Sequence, residues 1–239
     1  MKSIYGPVQS RRLGFSLGIS LTPHKTCSFD CVYCQLGASA RRTRERKPYV
    51  PVEDVLAELR AWLADNAALA GKLDYVTLSG SGEPVLHSGI GQIIAGIKAL
   101  TAIPVCLITN SSLLVDAAVR KSILGADVII PSLDAATQDI FERIDRPMPG
   151  IQVEDIIAAL VALRKEYAGR IWLEVMLVKG INDSREHIKL LAQTVKRIGP
   201  DKCQLTSPVR CTAEKDIFPV ERGAMESFCA LIGGVCEVY

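Results

Sequence analysis

Short apolar runs alternate with amphipathic stretches along almost the whole chain, and no other feature limits its fold so tightly. The runs at residues 17–21 (LGISL), 74–79 (DYVTLS), 105–109 (VCLIT), 128–133, 171–178 (IWLEVMLV) and 203–206 are largely apolar, as in strands buried on both faces. Between them, residues 52–66, 90–100, 115–124, 153–167, 184–198 and 219–232 read as helices. In the first of these, Val52, Val55, Leu56, Leu59, Trp62 and Leu63 fall three and four apart and predict one buried face. Residues 235–239 add a last strand candidate. Such strands joined by helices make a parallel sheet covered by helices, an α/β fold. About six units are visible, fewer than the eight of a closed barrel. A partial barrel and a Rossmann-type open sheet both accommodate them, and periodicity does not choose between the two. No linker or internal repeat divides the 239 residues, so a single domain over residues 1–239 is expected.

Hydrophobic residues at 49% and charged residues at 23% describe a globular chain, not a disordered one. A net charge of +2 is too small to argue by itself for a nucleic-acid partner. The N-terminal segment is unlike a signal peptide, and no apolar run is long enough to span a bilayer, so no membrane partner and a cytoplasmic location are expected. In that reducing compartment, eight cysteines argue against a disulfide framework and for metal binding or catalysis.

Cys27, Cys31 and Cys34 place three thiols within eight residues, directly after the first strand. Three thiolates in one loop can wrap a face of an iron–sulfur cubane and leave one of its four irons without a protein ligand. An open iron is what a cluster needs to bind a cofactor or substrate directly. Structural zinc calls for four ligands, commonly in two separated pairs, and no second Cys or His pair follows; His24 is near but completes no zinc pattern. A ferredoxin would need a fourth cysteine close by with a following proline, which is also missing.

The C-x3-C-x2-C spacing, with the aromatic Tyr33 directly before the third cysteine, resembles the motif of the radical S-adenosylmethionine (SAM) superfamily. The resemblance implies a partial (β/α)6 barrel. It also implies a four-iron, four-sulfur cluster on Cys27, Cys31 and Cys34, and SAM chelated to the open iron, with Tyr33 near the adenine. Reductive cleavage of SAM would then yield a 5′-deoxyadenosyl radical that abstracts hydrogen, with an electron donor such as flavodoxin or ferredoxin as a partner. Gly80-Ser81-Gly82-Glu83-Pro84 is similar to the family's glycine–glycine–glutamate strand end, whose backbone contacts the SAM amine, although Ser81 separates the glycines. By the same resemblance, Asn110 and Ser132 are candidates for the SAM carboxylate or ribose, and Asp134 for substrate or cofactor. Each also suits a turn or a helix cap. Residues 6–14 (GPVQSRRLG), 25–37 (KTCSFDCVYCQLG) and 207–210 (SPVR) resemble a branch grouped with the wyosine-type tRNA-modification enzymes. That grouping does not fix the substrate.

Other residues invite two readings. Glu174, inside an apolar strand, either points into a ligand chamber or pairs with a buried arginine. Asp183 reads as a helix N-cap. The basic groups Arg11-Arg12 and residues 41–47 are either solvated charge or a guide for an anionic substrate, such as a phosphorylated metabolite or RNA. Cys106 reads as core, while Cys203, Cys211, Cys229 and Cys236 are candidates for plain burial or for a second cluster. Three functions remain open: SAM-dependent catalysis on an unidentified substrate, activation of a partner protein by installing a radical, and a non-catalytic electron-transfer module.

Overall fold

Each apolar run becomes a strand and each amphipathic stretch a helix in a computed structural model, which describes residues 2–37 and 41–239. The strands are β1 (Ile4–Ser10), β2 (Gly14–Ile19), β3 (Thr26–Cys27), β4 (Arg41–Arg42), β5 (Tyr75–Leu78), β6 (Val105–Thr109), β7 (Val128–Pro131), β8 (Arg170–Met176), β9 (Lys202–Thr206) and β10 (Cys236–Val238). The helices are α1 (Val52–Asp65), α2 (Ala67–Ala70), α3 (Ile90–Leu100), α4 (Ala117–Ile123), α5 (Gln138–Ile144), α6 (Val153–Glu166), α7 (Arg185–Ile198) and α8 (Arg222–Ile232).

Eight strands form one sheet in the order β1-β2-β5-β6-β7-β8-β9-β10. From β2 to β10 every pair is parallel and every crossover leads to the next strand along. That order answers the question periodicity left open. A doubly wound sheet reverses direction at a switch point. This sheet never does, so right-handed crossovers place all helices on one side. Successive helices pack on one another accordingly, α1 on α3, α3 on α4, α6 on α7 and α7 on α8. The result is a partial barrel, with helices outside and β1 and β10 as its two edges.

Strand alternation then sorts side chains by face. Val76, Leu78, Leu107, Ile129, Leu173, Val175 and Leu205 join the large core under the helices. A smaller cluster of Leu13, Cys106, Val128, Ile130 and Trp172 occupies the opposite, inner face. Leu13 belongs to the β1–β2 turn, so this hairpin plugs the amino-terminal end of the half barrel.

Several elements depart from the sequence reading. The antiparallel hairpin β1–β2 was not anticipated, because Gly6-Pro7 and Arg11-Arg12 interrupt any alternation; the pairing register shifts between Tyr5 and Val8. Helix α5 is only seven residues long, too short to show a period. Asp183 is not the cap of α7: Ser184 is, its Oγ accepting from His187 N at 3.2 Å, while Asp183 Oδ1 accepts from Gly180 N at 2.8 Å. No helix among the described residues is long and apolar enough to cross a membrane.

Candidate active site

The cysteine loop leaves β2 at the carboxyl end of the sheet, where parallel strands position ligands. Several bonds hold it from below. Strand β3 pairs with β4, and Thr43 N donates to Cys27 O at 2.8 Å. Buried Lys25 donates its ammonium to Gly37 O and lies 3.5 Å from Asp30 Oδ1, closing the loop on itself. Val32 N donates to Ile144 O at 2.9 Å and Asp30 N to Asp145 O at 3.0 Å, so the end of α5 is a second support. The rings of Phe29 and Phe141 meet edge to face at 5.3 Å.

The strand ends are joined to this loop by side chains. Glu83 is buried, and its carboxylate accepts from Val85 N at 3.0 Å, Thr109 Oγ1 at 2.7 Å and Asn110 N at 2.7 Å. Asn110 in turn donates from Nδ2 to Ser28 Oγ at 2.9 Å and to Cys27 Sγ at 3.3 Å. The Glu83 carboxylate therefore fixes the end of β6 against the turn after β5 and is not turned outward to a ligand. Gly82 answers to the same constraint: a Cβ there would lie 2.0 Å from Thr26 O. Its missing side chain admits β3, not a ligand. Gly80, at φ +109°, and Ser132 line the cavity.

Asp134 is buried and accepts from Tyr33 OH and from Met176 N, the latter at 2.8 Å. Asp145, which the sequence reading did not single out, accepts from Cys31 Sγ at 3.2 Å and from Tyr33 OH at 3.4 Å. Burial raises both carboxyls, Asp145 to about 6 and Asp134 well above its ordinary value, with the charge of Asp145 adding to the latter. Burial likewise pushes the Cys27 thiol up to about 12, helped by Glu83, and the Cys31 thiol well above its usual range, helped by Asp145.

Cys27, Cys31, Cys34, Tyr33, Gly80, Gly82, Glu83, Asn110 and Ser132 line a cavity of about 470 Å³. All three cysteines belong to its wall, and among the described residues no three Cys, His, Asp or Glu converge on a single-ion site. Asp134 lies behind Tyr33, in a pocket of about 40 Å³ with Ser132 and Asp145. Glu174 satisfies both readings at once, since it lines the inner chamber and its Oε2 lies 2.5 Å from Arg12 Nη1.

The basic segment is largely committed elsewhere. Arg42 Nη1 donates to Arg146 O at 3.1 Å, Arg46 Nε to Val85 O at 3.0 Å, and Lys47 pairs with Glu45 at 3.1 Å. The Arg41 side chain lies outside the described residues. Cys106 and Cys203 are buried and Cys211 is exposed. Cys229 and Cys236 form a disulfide between α8 and β10, which runs against the expectation of free thiols and removes both from a second cluster.

The sequence model of the Radical SAM superfamily matches residues 21–192. A protein of Brachyspira hyodysenteriae called GTPase Obg is 42% identical over 99% of this chain, which spans only 34% of that relative. A UPF0026 protein of Methanocaldococcus jannaschii is 36% identical over 92% of this chain and 67% of its own length. Among solved structures, TYW1 with a lysine-pyruvate adduct bound superposes with a TM-score of 0.65 at 21% identity, covering 91% of this chain and 72% of that one, a likeness of fold.

Proposed function

The chain belongs to the radical SAM superfamily, and from that premise we propose that it is an enzyme binding a four-iron, four-sulfur cluster on Cys27, Cys31 and Cys34 and cleaving SAM reductively. The observation that carries this reading is the grouping of three thiols on the wall of a 470 Å³ cavity at the carboxyl ends of the strands. When bound, the cluster supplies the electron that splits SAM into methionine and a 5′-deoxyadenosyl radical.

The chain's own residues prepare the site. Lys25 and the end of α5 hold the loop so that the three sulfurs face one space. Asn110 fixes Cys27 and Ser28 from the sheet side. The strand-end backbone at Gly80, Gly82 and Glu83, with Asn110 and Ser132, offers polar groups to SAM. Tyr33 is pinned by Asp134, so its ring stands between the cysteines and the inner chamber. The apolar plug of Leu13, Cys106, Val128, Ile130 and Trp172 closes the chamber's far end to water, which protects a reactive radical from quenching.

The test is anaerobic reconstitution followed by assay of 5′-deoxyadenosine under a strong reductant. About four irons per chain and 5′-deoxyadenosine formation are expected, with both lost in the Cys27→Ala, Cys31→Ala, Cys34→Ala triple variant. Full iron retention in that variant, or no cleavage of SAM by the iron-loaded chain, refutes the reading.

A further inference from the structure

Beside the cavity that holds the cysteines lies a second lobe of about 350 Å³, roofed by the β1–β2 hairpin and floored by the inner face of the sheet. The two lobes share Tyr5, Arg12, Tyr33, Gln35, Met176 and Arg210, so they are one continuous chamber divided at Tyr33. If SAM occupies the first lobe, the second is the space next to it.

Its lining is polar and unevenly charged. Three guanidiniums, Arg11, Arg12 and Arg210, face a single carboxylate, Glu174. Arg12 reaches across the chamber from the hairpin turn to β8, and its Nη1 lies 2.5 Å from Glu174 Oε2. Arg210 is exposed on the chamber side and makes one long bond, Nη1 to Gln35 Oε1 at 3.3 Å. Deeper in, Ser16 Oγ and Thr77 Oγ1 lie 2.6 Å apart, and Thr206 Oγ1 donates to Glu174 Oε1 at 3.4 Å, an array suited to hydroxyl or amino groups. Guanidinium forks match the planar oxygens of carboxylate and phosphate, and two facing one space with excess positive charge call for an anion. The volume matches a small molecule.

We propose that this second lobe is the substrate site and that the substrate is a small metabolite carrying a phosphate or carboxylate group held by Arg12 and Arg210. This rests on the radical SAM reading for the identity of the neighbouring lobe. Arg12 and Arg210 line both lobes, so the anionic group sits at their boundary beside Tyr33 and the remainder of the molecule extends into the second lobe.

Calorimetric titration of the iron-loaded chain with inorganic phosphate, and separately with acetate, tests the proposal with and without saturating SAM. One saturable anion site is expected, compatible with bound SAM and weakened about ten-fold or more in Arg12→Gln and in Arg210→Gln, the loss of one charged hydrogen bond or more. Tighter phosphate would mark a phosphoryl substrate and tighter acetate a carboxylate. Unchanged affinity in the double variant overturns the proposal. So does displacement of the anion by SAM, which would give the arginines to the SAM carboxylate. Arg210 is exposed, so Arg210→Gln remains informative should Arg12→Gln fold poorly. The same titration on iron-free chain reads the anion site alone, so a failure to load iron counts against the cluster and not against the arginines.

Discussion

Replacing Gly82 by alanine separates two explanations of why a glycine stands at the end of β5. A Cβ built there meets Thr26 O at 2.0 Å, Thr22 Oγ1 at 2.8 Å and Thr26 C at 2.9 Å. A close carbon–oxygen contact is about 3.3 Å, so the backbone of β3 must retreat by more than an ångström. That retreat strains the bond from Glu83 N to Thr26 O, now 3.0 Å long. Overpacking of this kind costs about 1–3 kcal/mol, and the lost hydrogen bond about 1 kcal/mol more, for a total of about 2–4 kcal/mol. Gly199 is the control: at φ +67° with nothing within 4 Å of its absent Cβ, alanine there costs only the left-handed backbone preference, about 1 kcal/mol. Urea unfolding of the iron-free chain should show a midpoint drop of about 1 M for Gly82→Ala at unchanged slope, and a clearly smaller one for Gly199→Ala. If Gly82→Ala is as stable as the parent and loses only SAM affinity, the glycine serves the ligand and the steric account is refuted.

Two further outcomes test other parts of the molecule. His187 is buried, takes a hydrogen bond from Ala136 N on Nε2 at 3.0 Å, and donates from Nδ1 to Asn182 O at 2.8 Å; burial lowers its pKa below 6.5. The unfolded chain therefore binds a proton first as the pH falls, so the stability His187 contributes above about pH 6.5 declines below it, as does that of buried His87, shifted the same way; a His187→Gln variant should lose its share of that dependence, and identical pH profiles would refute it. Opening the Cys229–Cys236 bridge with a thiol reductant should cost about 2 kcal/mol and lower the melting temperature by about 5 °C, with no effect on a Cys229→Ser, Cys236→Ser double variant. Equal reductant sensitivity in that variant would show that the bridge is not the source.

The layers of the fold were legible wherever local periodicity and tertiary demand coincide. Residues 105–109 and α6 appear almost at the bounds their patterns predict. The hairpin β1–β2 was not, because its meaning is tertiary: Arg12 and Leu13 look like a surface turn until the sheet curls around them. Partial barrel and open sheet differ only in strand order, which no single segment carries. At the site, spacing alone singles out the three cysteines, whereas Asp145 lies 114 residues from Cys31 and meets it only through packing of α5. Glu83 shows the opposite limit: its position is readable as a motif, but three donors hold its carboxylate inward.

If Cys27 ligates the cluster as proposed, the bond from Asn110 Nδ2 to Cys27 Sγ has an electrochemical consequence. A hydrogen bond to a ligating sulfur withdraws electron density from it and stabilises the reduced form of the metal centre it binds. The amide that makes this bond sits where it does because the Glu83 carboxylate holds the Asn110 backbone N–H at 2.7 Å. Removing that carboxylate would release the amide, so on the proposed ligation a substitution in the turn after β5 would be read at Cys27 as a change in voltage. A carboxylate that bonds to no sulfur would thereby help set how strong an electron donor the chain requires.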